Sequence, residues 1–182
     1  DASEFGRASR IGPDPAAIKL LAQWLVEAQR PVIIADYVGK EPQGVQALRA
    51  LAELLAAPVL DKGGRFNFPS NHPLDLTGSD RETLRDADLV LALEVRDPFG
   101  ALHARDIHKW DAAPFTPASA RFASISLWDL RVRGWLQDSR INPSNLNIMA
   151  DTAVAIPMLV EECQKLVSGK SRSKFEQRAE AV

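Results

Sequence analysis

The run Leu89-Val90-Leu91-Ala92-Leu93 carries no polar residue on either parity. A strand with one wet face alternates, so a strand without alternation must be covered on both sides, as in a parallel sheet flanked by helices. Val32-Ile33-Ile34-Ala35 reads the same way. Pro58-Val59-Leu60 begins a further strand, Phe122 to Leu127 another, and Leu146-Asn147-Ile148-Met149 a last one. Helical periodicity lies between and around them. Ile18, Leu21, Ala22, Leu25 and Val26 place one apolar stripe on 14–28, opened by Pro13-Asp14-Pro15 and stopped by Arg30-Pro31. Val45, Leu48, Leu51, Ala52, Leu54 and Leu55 form a second stripe. Residues 80–87 read as a short helix with Ser79 or Asp80 as N-cap, and 151–167 as a long one capped by Asp151.

Strands interleaved with helices predict an α/β fold: a Rossmann-like three-layer sandwich with a mainly parallel sheet. At 182 residues the chain fits one domain with a sizeable core. Residues 1–12 read as a linker or cloning remnant and 13–169 as the domain. The basic, polar stretch 170–182 reads as a linker or helix start that leads elsewhere, and 97–117 as irregular. Cys163 has no partner, which excludes a disulfide scaffold. A net charge of -2 offers no general attraction to nucleic acid, and no apolar run approaches a membrane span. No signal peptide is visible, so the expectation is a cytoplasmic polypeptide; beginning at Asp1, it reads as a piece of a longer one.

In an open parallel sheet, ligands bind beyond the carboxyl ends of the strands. The residues there are Asp36, Tyr37 and Gly39; Asp61, Lys62, Gly63, Gly64 and Arg65; Glu94, Arg96 and Asp97; Trp128 and Asp129; and Ala150 and Asp151. Free N–H groups of Gly63-Gly64 beside Lys62 and Arg65 suit a phosphate or pyrophosphate, although the glycines serve equally to turn the chain. No G-x-G-x-x-G follows the first strand, which disfavours ordinary dinucleotide binding. Asp36 would repel a pyrophosphate unless a cation neutralised it; the alternative is that it caps a turn. The segment HARDIHKWD, with His103, Asp106, His108 and Asp111, invites a metal reading. Its His spacing of five does not stack on one helical face, so a solvated surface segment is expected. His72 reads as a loop residue and Cys163 as a core thiol. No nucleophile elbow, Walker loop, C-x-x-C or Ser/His/Asp grouping stands out.

The stretches DPAAIKLLAQWLVEAQRPVIIAD, ALRALAELLAAPVLDKGGRFNFPSNHPLDLTG and LRDADLVLALEVRDPFG, in that order, resemble the middle domain of thiamine-diphosphate-dependent enzymes. The resemblance is to the acetohydroxyacid (acetolactate) synthase, benzoylformate decarboxylase and benzaldehyde lyase group. Arg30 to Ile33, Ala57 to Val59, Lys62 to Leu74 and Ala87 to Arg96 carry it, and the later SISLWD and LNIMADTAVAIPML resemble the family's closing strands and helix.

The resemblance implies a six-stranded central domain of the DHS-like NAD/FAD-binding kind, set between a pyrimidine-binding and a diphosphate-binding domain. Thiamine diphosphate and magnesium would be held by those outer domains, whose activating Glu and Gly-Asp-Gly…Asn motif are not in this sequence. Catalytic residues and metal ligands are therefore expected in neither this segment nor its edge. The partners implied are the other domains of the parent chain and further copies in a homo-oligomer, with neither nucleic acid nor membrane. Some members hold FAD or ADP at the strand ends, and the matching positions here are Gly39, Lys62, Gly63, Gly64, Glu94, Arg96, Trp128 and Asp151. Asp36-Tyr37 and Glu94 stand where the flavin-binding pattern has small residues. This departure implies a degenerate nucleotide site and an architectural role. The competing expectation is a self-standing nucleotide- or dinucleotide-binding module of the same fold class.

Overall fold

All five residues of Pro31–Ala35 and all five of Leu89–Leu93 are buried, and the side chains divide by parity. Ile33, Ala35, Leu89, Leu91 and Leu93 join one apolar cluster, whereas Val32, Ile34, Val90 and Ala92 join another on the opposite face. The computed structural model describes residues 9–106, 111–127 and 142–180. Along the chain, Pro15–Glu27 is α1, Pro31–Ala35 β1, Pro42–Leu55 α2 and Val59–Asp61 β2, with a 3-10 turn at Val38–Lys40. Asp80–Arg85 is α3, Leu89–Leu93 β3, Pro98–Leu102 α4, His103–Asp106 β4 and Asp111–Pro114 β5. Arg121–Ser126 is β6, Leu146–Met149 β7, Thr152–Leu166 α5 and Gly169–Glu180 α6.

The main sheet has five strands in the order β2-β1-β3-β6-β7, all parallel. The register sets Ile33 beside Val59 and Leu91, and Leu91 beside Ala123. Residues of α1, α2 and α5 cover one face; Leu84 of α3 with Ala101 and Leu102 of α4 cover the other. This is the expected three-layer α/β sandwich. Among the described residues the main sheet has five strands, and a sixth is not shown. Leu91 is fully buried between the layers, and its truncation to Ala would cost about 2–5 kcal/mol.

Local signals explain the element ends. Asp14 caps α1, accepting from the Ala16 N–H at 2.8 Å with Pro15 at the first helical position. Asp151 caps α5, accepting from the Ala153 N–H at 3.0 Å. Asp88, just before β3, accepts from the Gln29 and Arg30 N–H groups at 2.7 and 3.0 Å, tying the entry of β1 to that of β3.

One segment expected to be irregular is ordered. Within 97–117 lie α4, capped by Asp97 on the Gly100 N–H at 2.8 Å, and the antiparallel β4–β5 hairpin. The hairpin's sequence, HARD and DAAP, has no apolar period to announce it. The stretch read as a linker or helix start at 170–182 lies largely in α6, whose Phe175 and Arg178 are buried.

Candidate functional site

Chain winding reverses between β1 and β3. α2 leads from β1 outward to β2 on one face, and α3 leads back past β1 to β3 on the other. Such a switch point opens a crevice at the carboxyl ends of the two strands, the usual ligand position in doubly wound sheets. Asp36 follows β1 and Glu94 follows β3, so two carboxylates stand at its mouth, exposed by only 3% each.

Each is compensated from within the chain. Asp36 accepts from the Gly64 N–H at 3.0 Å through Oδ1, and from the Arg96 N–H at 3.2 Å and Nε at 3.0 Å through Oδ2. That hydrogen bond raises the Arg96 guanidinium above its ordinary pKa, against a smaller opposing effect of burial. Two guanidinium groups lie over the Tyr37 ring, Arg96 at 4.6 Å and Arg65 at 5.1 Å from its centroid. Glu94 accepts from Lys40 Nζ at 2.7 Å and from the Leu127 N–H at 2.5 Å, with its backbone in the left-handed region at φ +50°. Holding a non-glycine residue there costs about 1–3 kcal/mol, so its surroundings must over-determine it.

The loop after β2 closes onto this pair. Fully buried Asn67 donates from Nδ2 to the carbonyls of Asp36 and Arg65 and to Asp61, while its Oδ1 accepts from the Gly39 N–H at 3.0 Å. The approach is so close that a Cβ at Gly39 would lie 1.8 Å from the Phe66 carbonyl oxygen, and one at Gly64 would lie 2.2 Å from Asp36 Oδ1. Gly63 serves a different purpose: its φ of +74° turns the chain in open space, and its N–H donates to Asp61 at 2.8 Å.

On the far side, Asp151 pairs with Arg10 at 2.9 Å and, more loosely, with Lys40 at 3.8 Å; Arg10 also reaches Glu41 at 3.1 Å. The Asp151 N–H donates to the Ile11 carbonyl at 2.9 Å. Residues read as linker thus lie across this end of the sheet.

Six of the eight positions proposed from sequence therefore adjoin one crevice or its rim: Gly39, Gly63, Gly64, Glu94, Arg96 and Asp151. Lys62 pairs with Asp80 instead. Trp128, like Asp129, lies outside the described residues. The N–H groups of Gly39, Gly63 and Gly64 and the cations of Lys62 and Arg96 are each engaged by a side chain of the chain itself, whereas Arg65 donates to the Gly64 carbonyl and is exposed. Sequence reading missed Asn67, Lys40 and Arg10. Nothing local marks them, since their partners lie as far as 141 residues away.

The remaining candidates are ordinary. His72 accepts the Leu74 N–H on Nδ1, so Nε2 carries the proton donated to Glu53 at 3.1 Å. His103 is bonded to the Phe99 carbonyl and stacked on that ring at 3.9 Å; His108 lies outside the described residues. Among the described residues no group of three or more His, Cys, Asp or Glu side chains is arranged to hold a metal ion. No described helix is long and apolar enough to cross a membrane. A separate cleft of about 330 Å³ opens at the amino ends of β3 and β6, between His103, Arg121, Phe122 and Asn145.

Comparison with known proteins gives three results. Residues 18–126 match the family model described as thiamine pyrophosphate enzyme, central domain. The sulfoacetaldehyde acetyltransferase of Castellaniella defragrans is 36% identical over 124 residues, covering 63% of this chain and 20% of that protein. The chain thus spans about a fifth of the length of this relative. The benzoylformate decarboxylase structure from Polynucleobacter necessarius superposes with a TM-score of 0.65 at 22% identity, covering 86% of this chain and 28% of that one.

Proposed function

The chain belongs to the family of thiamine pyrophosphate enzyme central domains, and from that premise we propose that it is an architectural, non-catalytic domain of a larger enzyme. Its role is to space the outer domains and lend surface to an oligomer. The parent enzyme would be a 2-oxo acid decarboxylase, carboligase or acyl transferase of the acetolactate synthase-like kind. The acetyltransferase relative supports the transferase end of that range. Thiamine diphosphate with a divalent metal supplies the bond-making chemistry of such an enzyme. We assign the holding of that pair to the outer domains of the parent chain rather than to this one.

One observation carries the second half of the proposal, that the strand-end nucleotide site is degenerate. The buried carboxylates of Asp36 and Glu94 occupy the switch-point crevice and consume its donors. An FAD or ADP phosphate entering there would meet two negative charges of low exposure and would have to break their bonds.

Calorimetric titration of the purified chain with FAD and with ADP tests this reading. The expected result is no saturable heat at micromolar concentrations. Micromolar binding, or a yellow protein stabilised by dinucleotide in a thermal melt, favours the self-standing nucleotide module instead. Turnover of a 2-oxo acid by this chain alone with thiamine diphosphate and magnesium would overturn the non-catalytic assignment.

A further inference from the structure

Three donors from two separate loops converge on one buried carboxylate. The Gly64 N–H comes from the loop after β2, and the Arg96 N–H and Nε come from the loop after β3; all end on Asp36, whose side chain is 5% exposed. Two backbone amides and a guanidinium aimed at a point from which water is excluded form an oxyanion hole in the general sense. Gly64 is suited to it, since a side chain there would occupy the carboxylate's place.

We propose that Gly64 and Arg96 form an intact binding hole for a small oxyanion and that Asp36 is its resident, covalently tethered ligand. The hole is latent: removal of the Asp36 carboxylate leaves it open to a free carboxylate or phosphate. This rests on the filled-site reading above and goes beyond it. A merely degenerate site has lost its donors, whereas here the donors are kept and satisfied internally.

Asp36→Ala in the full chain, melted with and without sodium formate or inorganic phosphate, tests the idea, with sodium chloride at matched ionic strength as control. The variant should melt below wild type. One of the two anions should raise its melting temperature by at least about 3 °C over the chloride control, with wild type unmoved. Equal responses in variant and wild type, or no response to either anion, would overturn the proposal.

If Asp36→Ala does not fold, Asp36→Asn decides by hydrogen exchange. The amide offers one acceptor oxygen where two are used, so either the Gly64 or the Arg96 amide should exchange at least about tenfold faster than in wild type. Unchanged protection at both positions counts against the hole. Micromolar FAD or ADP binding by wild type would instead sink the filled-site reading, a result separate from failure of anion rescue in the variant.

Discussion

The guanidinium of Arg178 donates to the Leu55 carbonyl oxygen at 2.7 Å, across 123 residues of chain. The same group reaches the Leu25 and Ala28 carbonyls, while Lys174 donates to those of Val26 and Glu27. The carboxyl end of α1 and the last turn of α2 are thus capped by cations from α6, where the helix dipoles favour positive charge.

Replacing Arg178 with Met should therefore cost about 2–3 kcal/mol in urea denaturation, because buried carbonyls lose a charged donor. Burial lowers the Arg178 pKa from its ordinary value to about 10. The unfolded chain then holds this proton more tightly, and the desolvation cost is relieved only as pH rises between those values. The deficit of Arg178→Met should accordingly stay constant from about pH 6 to 9; a deficit that changes severalfold across that range contradicts this account.

Substitutions at the loop glycines should separate close approach from backbone conformation. Gly39→Ala must move the Phe66 carbonyl, since its Cβ would lie 1.8 Å away, and should cost about 3 kcal/mol or more. Gly63→Ala meets open space and suffers only its φ of +74°, about 1–2 kcal/mol. Denaturation midpoints ranking Gly63→Ala as the more damaging would reverse this ordering.

The Lys40–Glu94 pair should behave as a coupled unit. Lys40→Met leaves the Glu94 carboxylate buried with only the Leu127 N–H, at a cost of about 3 kcal/mol. Glu94→Gly removes that charge and also relieves the strain at φ +50°. The double variant should be more stable than the sum of the single losses implies, by at least about 1 kcal/mol. Strict additivity would mean the two groups do not sense each other.

Cys163 should be chemically silent in the native state. Burial, and secondarily the charge of Glu162, pushes its thiol up to about 12 from an ordinary 9.0. The unfolded chain therefore releases this proton first, and stability from this group is lost as pH rises between those values. Reaction with an aromatic disulfide reagent at pH 8 should follow the unfolding rate; stoichiometric labelling within seconds under native conditions would show the thiol to be accessible.

Where the code is local, the sequence alone was enough. Leu89 to Leu93 announces a doubly covered strand by composition, and Asp14 and Asp151 announce helix starts because their partners lie two residues on. The docking of α6 was not legible: its single large apolar residue, Phe175, gives no period, and the docking rests on Lys174 and Arg178 meeting helix ends about 120–150 residues upstream. The β4–β5 hairpin was hidden for a related reason, since HARD and DAAP carry no apolar period.

The same division holds at the crevice. Short-range periodicity determined that an α/β sheet forms and that Asp36, Glu94 and the Gly63-Gly64 turn sit at strand ends, because a strand's last residue is followed by its loop whatever the rest does. Whether those groups face solvent or one another was decided only when strand order placed β1 beside β3. That step brings Asp36 against Arg96, 60 residues away, and turns apparent free donors into occupied ones. Sequence distance carries no information about such a meeting, since Coulomb attraction and hydrogen bonding act through space after the sheet has set the spacing.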